Sequence, residues 1–359
     1  MEKKLKLGLI GLGGICNGAH MPGLAEIKNV EIAAICDINP QKIEKFKAKY
    51  NMPDVPSFTD YKDLLNFEGL DFVDICTPNY LHSIIAIAAL EKGLHVFCEK
   101  PDAVSVSEME KMKAAAEKSG RHLMVMRNNR YRKSSKYLKK FINEGNMGDI
   151  YCGRCGWQRR RGIPGKGGWF TTKEQSGGGP LIDLGVHMID LAIWLMGNPT
   201  PVAVSGTTYC KFANSDASDS AHAAFGEKNA DGTFDVEDLA MGFIRFDNGA
   251  CLQIEFSWAS NIEQEKMFVE LRGTKAGAIF CDDMVDETTK IFTETDGILE
   301  DVLPKISKTK LIHGKNLAHF VDVILGNAEP DYVPQQGLDM IKILEAIYTS
   351  AECGHEIQL

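Results

Sequence analysis

The chain has 359 residues, enough for two domains at roughly 100–200 residues each. Apolar residues make up 44% and charged residues 25%, the balance of a globular protein rather than a disordered or fibrous one. The net charge of −9, with no block of like charge, argues against a nucleic-acid partner, and no stretch approaches the roughly 18 apolar residues of a membrane span.

The N-terminus, Met1 to Lys6, lacks the apolar core of a signal peptide, so a cytoplasmic location is expected. Leu5–Ile10 is an apolar run that ends at Gly11, and Gly14–Ile27 follows as a helix. Glu31–Cys36 is a second run, closed by Asp37. Pro40 fits the first turn of a charged helix reaching Tyr50. Phe72–Cys76 is a strand ended by Thr77-Pro78. Leu81–Lys92 is an alanine-rich helix stopped by Gly93. His95–Cys98, a helix over Ser105–Ser119 and a strand over His122–Met126 complete the series. Strands alternating with helices imply a parallel sheet with right-handed crossovers. Residues 1–126 are therefore expected to form a doubly wound α/β Rossmann domain of about six strands.

From residue 127 the pattern changes. Longer runs rich in β-branched and aromatic residues cover Asp149–Trp157, Val202–Lys211, Leu239–Phe246, Ala250–Trp258, Lys266–Leu271 and Ala276–Cys281. Asn248-Gly249 between two of them suits a type I′ hairpin turn. Residues 127–359 are expected to form an α+β domain on a mainly antiparallel, open-faced sheet. Asn214–Asp235 is expected to be a long surface loop, and helices are expected near His313–Leu325 and Pro334–Ser350. Of the ten cysteines, Cys152 and Cys155 form a CxxC, but no further ligand pair accompanies it and the segment reads as a strand.

The turn Gly11-Leu12-Gly13-Gly14-Ile15-Cys16 stands between a strand and a helix. Gly11 permits a tight turn, Gly13 lets the backbone approach a pyrophosphate, and the helix start offers free N–H groups to that anion. Asp37, closing the second strand, suits a ribose diol and repels a 2′-phosphate, which favours NAD over NADP. The alternative is a glycine-rich turn with no ligand.

The motifs Gly11-Leu-Gly-Gly-Ile, His20 and Pro22, Thr77-Pro78-Asn79 with His82, and Glu99-Lys100-Pro101 together resemble the Gfo/Idh/MocA oxidoreductases, relatives of glucose–fructose oxidoreductase and inositol dehydrogenase. Gly177-Gly-Gly-Pro-Leu-Ile-Asp183-Leu-Gly-Val-His187-Met-Ile-Asp190 and Val236-Glu237-Asp238 are similar to that family's second domain. The resemblance implies an NAD site drawn from Gly11, Gly13, Gly14, Ile15, Asp37, Thr77, Pro78, Asn79, His82, Glu99 and Lys100. It implies Lys100, Asp183 and His187 as catalytic residues, and a homodimer or homotetramer.

The residues support the same chemistry. Oxidising an alcohol needs a proton acceptor and positive charge beside the developing oxyanion. Lys100 lies just past a parallel strand, at the sheet edge where ligands bind, and Pro101 restrains it. Asp183 and His187 are four residues apart, on one helix face, with Asp190 further along the stripe. His187, with an unperturbed pKa of about 6.5, suits a general base, and Asp183 suits a substrate hydroxyl. The stripe also fits a structural helix or, less well, a metal site; no metal is expected. Arg127 and Tyr131, after the last Rossmann strand, and Trp169, in the glycine-rich loop Gln158–Gly179, are candidate substrate contacts beside Lys100, Asp183 and His187. An oligomer contact or solvated loop is the alternative for them. The run Arg159-Arg160-Arg161 raises the option of a carboxylated or phosphorylated sugar. The expected function is NAD-dependent oxidation of a secondary hydroxyl of a sugar, sugar acid or cyclitol, or the reverse reduction. Two alternatives stand beside it: a glycosidase using transient oxidation by NAD, and a non-enzymatic NAD and sugar sensor.

Overall fold

The computed structural model describes residues 4–215, 226 and 228–359. Half of the expected loop Asn214–Asp235, residues 216–225 and 227, lies outside them. The chain forms two compact units.

The first unit is built on strands β1 (Leu5–Ile10), β2 (Val30–Cys36), β3 (Ser57–Phe58), β4 (Phe72–Ile75), β5 (His95–Cys98) and β6 (Leu123–Val125). They pair in parallel in the order β3-β2-β1-β4-β5-β6. Helices cover both faces of such a sheet, which is why β4 is buried at all four positions and β1 at all but Lys6. The helix Pro40–Tyr50 starts at Asn39, whose side chain accepts from the Gln41 and Lys42 amides. The helix Val106–Ser119 is capped by Ser105 and stopped by Gly120 in the left-handed region. Strand order reverses between β1 and β4, the switch point at which open α/β sheets bind ligands.

The first helix departs from its expected regular form. Residues Cys16–His20 make a π-helical turn before an α-helical turn at Met21–Leu24. Gly23 in that turn lies against Gly314, where an added Cβ would come within 2.3 Å of the Gly314 Cα. The helix Ile312–Ile324 thus packs on the Rossmann core, and the first unit runs up to Met126 and resumes over Leu311–Leu338. The expected division at residue 126 holds this later segment in the wrong domain. The cause is packing at a distance in sequence: Phe320 is buried with its ring 5.9 Å from that of Phe72 and 5.3 Å from that of Phe97.

The second unit, Arg127–Lys310 with Asp339–Leu359, holds a nine-stranded sheet. Its strands are β7 (Ile150–Gln158), β8 (Pro201–Tyr209), β9 (Leu239–Phe246), β10 (Cys251–Ser257), β11 (Lys266–Gly273), β12 (Gly277–Asp282), β13 (Glu287–Thr295), β14 (Ile298–Val302) and β15 (Ile357–Gln358). The order is β14-β13-β12-β11-β7-β10-β9-β8-β15, antiparallel except where β7 meets β10. Burial alternates along β11 and β12, the pattern of one covered and one open face. Cys152 and Cys155 lie three apart in β7 and so point to opposite faces; all ten cysteines are free thiols.

The β9–β10 hairpin forms as expected, but not with a type I′ turn. That turn needs positive φ at both central residues, and only Gly249 has it, at 82°. The Phe246 amide donates to Ala250 O, and Asn248 spends its side chain on the Ala250 amide. Among the described residues one helical run, Lys173–Leu195, is long and apolar enough to cross a membrane, which the sequence did not lead us to expect; 83% of its most apolar window is buried in the fold.

Candidate active site

In the first unit the expected cofactor residues gather at the carboxyl ends of β1, β2, β4 and β5. Gly11 has φ of 90°, and a Cβ there would sit 2.7 Å from the Cys76 carbonyl, so only glycine lets these two loops touch. Asp37 ties the glycine turn to β2: one carboxylate oxygen accepts from the Leu12 amide at 2.9 Å and the other from the Asn39 amide at 2.9 Å. A carboxylate has about four lone-pair sites, so both oxygens retain capacity for a diol.

Behind this edge lies a buried charge cluster. His20 places Nδ1 2.7 Å from Asp74 and Nε2 2.8 Å from Glu99. Burial by itself lowers a histidine pKa, but the charge and hydrogen bond of Asp74, then those of Glu99, outweigh it and hold the His20 pKa well above its ordinary value. Glu99 shows the mirror case: burial raises its pKa, while the His20 hydrogen bond and charge, with His313 and Lys100, bring it well below the usual carboxylate range. Both imidazole nitrogens therefore donate, and the ring is an imidazolium. The second Glu99 oxygen accepts from the Lys100 amide at 3.1 Å, so the cluster holds the backbone of Lys100 at the end of β5. The Lys100–Pro101 peptide is cis. His82 is buried with Nδ1 2.7 Å from the Pro101 carbonyl and Nε2 2.9 Å from the Thr77 carbonyl, and burial lowers its pKa. Glu99 and His82 thus support the loops, a task that the reading of them as cofactor contacts missed. Asn79 is buried in the short helix Asn79–Leu81, which Pro78 precedes.

In the second unit Asp183 lies in a π-helical turn, Leu181–Gly185, that leads into the α-helix Val186–Leu195 bearing His187. Single π-turns inside helices recur at functional sites. Every residue from Leu181 to Leu195 is buried except Asp183, His187 and Ile193, which are half-buried. The Trp258 indole donates to Asp183 Oδ2 at 2.9 Å, and the Trp157 ring lies 5.8 Å from that of His187. Asp190 does not share this exposure. It is buried and paired with Arg127 Nε at 2.9 Å and with Arg130 Nε at 2.8 Å and Nη2 at 2.6 Å. Arg127, a candidate substrate contact, is itself buried and fastens this helix to the segment after β6. Tyr131 is buried under the Lys136 ammonium, 4.6 Å from its ring centre, and Trp169 stacks on Phe170 at 3.8 Å.

Glu237 has a structural task that nothing local in the sequence signals. Its carboxylate accepts from the Gly179 and Leu181 amides, at 2.9 and 3.1 Å, and from the Tyr348 hydroxyl at 3.0 Å. It thereby caps the start of the helical run that carries Asp183. The approach is close enough that a Cβ on Gly179 would meet the Glu237 carbonyl at 2.0 Å, which accounts for glycine there.

Residues 5–127 match a family described as "Oxidoreductase family, NAD-binding Rossmann fold", and residues 135–279 match "GFO/IDH/MocA C-terminal domain". The D-glucoside 3-dehydrogenase of Escherichia coli is 32% identical over 99% of this chain and 97% of its own length. The chain belongs to the Gfo/Idh/MocA oxidoreductase family. The levoglucosan dehydrogenase of Pseudarthrobacter phenanthrenivorans is 30% identical over 81% of this chain and 77% of its own. Two solved structures share the fold over 99% or more of both chains: an oxidoreductase domain protein from Kribbella flavida, with TM-score 0.85 and 24% identity, and a levoglucosan dehydrogenase in complex with NADH and levoglucosan, with TM-score 0.84 and 23% identity.

The first unit of this Gfo/Idh/MocA oxidoreductase is an NAD-binding Rossmann domain, and its loops suit the cofactor. A Cβ on Gly13 or Gly14 would meet nothing within 4 Å, so the turn opens onto space beside the helix start. The Thr77 hydroxyl is buried and has no hydrogen-bond partner among the described residues.

Proposed function

We propose that this Gfo/Idh/MocA enzyme oxidises a secondary ring hydroxyl of a sugar, glycoside or cyclitol with NAD, or runs the same step in reverse. The observation that carries the assignment is the exposure pattern of residues 181–195. An ion-paired Asp190 sinks into the core, while Asp183 and His187 are the polar positions left half-open. The D-glucoside 3-dehydrogenase and levoglucosan dehydrogenase relatives support a sugar or glycoside as substrate.

The Gly11–Ile15 turn, Asp37 and Thr77 are the residues that would hold NAD, with Pro78 and Asn79 shaping the Thr77 loop. Bound NAD supplies the hydride acceptor. His187 takes the proton of the reacting hydroxyl as general base. The Lys100 ammonium donates to the oxygen as it becomes an alkoxide. Asp183, oriented by Trp258, accepts a hydrogen bond from a neighbouring hydroxyl. Asp37 at the ribose end favours NAD over NADP.

The open face of the nine-stranded sheet supports pairing with further copies as a dimer or tetramer, which sedimentation would test. Ten unpaired thiols support a reducing, cytoplasmic location. The functional test is the rise of NADH absorbance with purified protein, NAD and a panel of methyl glycosides, free aldoses, uronates and inositols. Net NADH with at least one neutral sugar, glycoside or cyclitol is the expected result. Sugar release from a glycoside without net NADH would replace this reading with the glycosidase.

A further inference from the structure

Two buried donors near the Asp183–His187 pair have no acceptor among the described residues: Nε1 of Trp157 and Nε of Arg159. A native fold rarely leaves buried N–H groups unmatched, and each such group asks for an explanation. Both sit at or just past the end of β7. The Trp157 ring lies 5.8 Å from the His187 ring, and the Arg159 guanidinium carbon lies 5.1 Å from the centre of the Trp157 ring. Arg159 is anchored through Nη1, which donates to the Gly162 carbonyl at 3.2 Å. The cation–π contact further restricts the two side chains, so these donors are preorganised.

The surrounding charge narrows the ligand. Burial lowers the Arg159 pKa, and the carboxylates of Asp183 and Glu265 oppose that by favouring the charged form. Arg161, the third arginine of the run, is engaged by neighbouring backbone and side-chain oxygens. Arg161 donates from Nη1 to the Ser260 and Arg160 carbonyls and from Nη2 to Asn261, and Arg160 is exposed. Asp183, fixed by the Trp258 indole at 2.9 Å, and Glu265, fixed by the Arg160 and Arg161 amides at 2.9 and 3.4 Å, are the carboxylates that offset the Arg159 charge, so the corner gains little from a further negative charge.

We infer that Trp157 and Arg159 form a two-donor subsite that hydrogen-bonds hydroxyl or ring oxygens of an uncharged sugar beside the reacting hydroxyl. The location of that hydroxyl rests on the dehydrogenase reading above. The subsite selects a neutral ring over a uronate or sugar phosphate, against the option of an anionic sugar that three consecutive arginines raise.

The test uses the full chain with NAD and methyl glucoside, methyl glucuronide and the monodeoxy methyl glucosides as probes. Trp157→Phe keeps a ring and removes the N–H; Arg159→Met keeps most of the stem and removes the donors. Each should raise KM for methyl glucoside about tenfold or more, the scale of a lost buried hydrogen bond, with a much smaller change in kcat. Each penalty should vanish on one monodeoxy sugar, the one lacking the oxygen that donor binds. Methyl glucuronide should show a KM at least about tenfold above that of the glucoside. Unchanged KM in both variants, with an active wild type, overturns the subsite and leaves the dehydrogenase standing. An equal or lower KM for the glucuronide overturns the preference for neutral sugars. If the wild type makes no NADH, the dehydrogenase reading fails, and calorimetric titration with methyl glucoside decides the donors separately: weaker binding by the variants supports them, and equal or absent binding overturns them. Should a variant not fold, the wild type alone decides, because uniform affinity across the monodeoxy series overturns the subsite.

Discussion

A histidine with a carboxylate on each ring nitrogen carries its proton at neutral pH, and His20 has that environment. The linkage has a definite sign. Because its folded pKa is raised, His20 contributes stability that is fully present below its unfolded pKa of about 6.5 and is lost as pH rises through the folded value. Glu99, with its folded pKa depressed, contributes above its unfolded value of about 4.3 and loses that as pH falls. His20→Gln should therefore lose much of the alkaline fall in thermal stability that the wild type shows from about pH 6.5 upward. Parallel melting curves for the two proteins across that range would remove the imidazolium. Lys100 belongs to the same scale but to the reaction itself. Lys100→Ala should cut kcat by about a hundredfold or more, the scale of one lost oxyanion donor, and leave NAD affinity nearly intact. Unchanged turnover would take Lys100 out of the mechanism. The glycines, Asp37, Lys100, Asp183 and His187 were legible as site candidates because each follows a strand end or keeps a helical spacing. The support beneath them was not. His20 meets Glu99, and Glu237 meets Gly179, across 79 and 58 residues of chain, and nothing local in the sequence signals such a pairing.

At the scale of elements, the Rossmann strands were legible because continuous apolar runs between turn residues have few other folds open to them. The hairpins show where that logic slipped. Asn248-Gly249 carries the favoured dipeptide, yet its register leaves only Gly249 at positive φ. The two-residue turn with both residues at positive φ is Asp296-Gly297, between β13 and β14, with φ of 52° and 80° and Thr295 paired to Ile298. That dipeptide was present to be read, but the five residues of β14 are all exposed and its flanks show little apolar alternation. The helix Lys133–Asn143 escaped for a related reason: its apolar stripe is only Tyr137, Leu138, Phe141 and Ile142, set among four lysines and two serines. By spacing Asp190 continues the Asp183–His187 stripe, but the π-turn at Leu181–Gly185 shifts the phase and turns Asp190 toward Arg127 and Arg130. A carboxylate buried between two guanidiniums is costly to remove, because the cations stay behind. Asp190→Ala should destabilise the second unit by about 3–5 kcal/mol, read from denaturant unfolding. A loss below about 1 kcal/mol would mean that the arginines re-pair at little cost and that the helix is held by its apolar face instead.

For the whole molecule, the discontinuous course of the chain has consequences that neither unit shows alone. The chain leaves the first unit after Met126, completes most of the second, returns over Leu311–Leu338, and leaves again. The returning segment completes the Rossmann core. Phe320 packs on rings carried by β4 and β5, Gly314 lies against Gly23, and the Tyr332 hydroxyl donates to buried Asp102 at 2.6 Å, two residues past Lys100. A unit whose core closes across nearly two hundred residues pays loop-closure entropy before those contacts form, so its stability depends on them heavily. Phe320→Ala removes a fully buried ring and should cost about 3–5 kcal/mol in urea unfolding. The damage should be local: hydrogen exchange should speed up in β4 and β5 of the first unit and leave β7, β10 and β11 of the second unchanged. NAD, binding only the folded first unit, should recover part of the loss in proportion to its concentration. Uniform faster exchange across both sheets would instead show that the two units unfold as one.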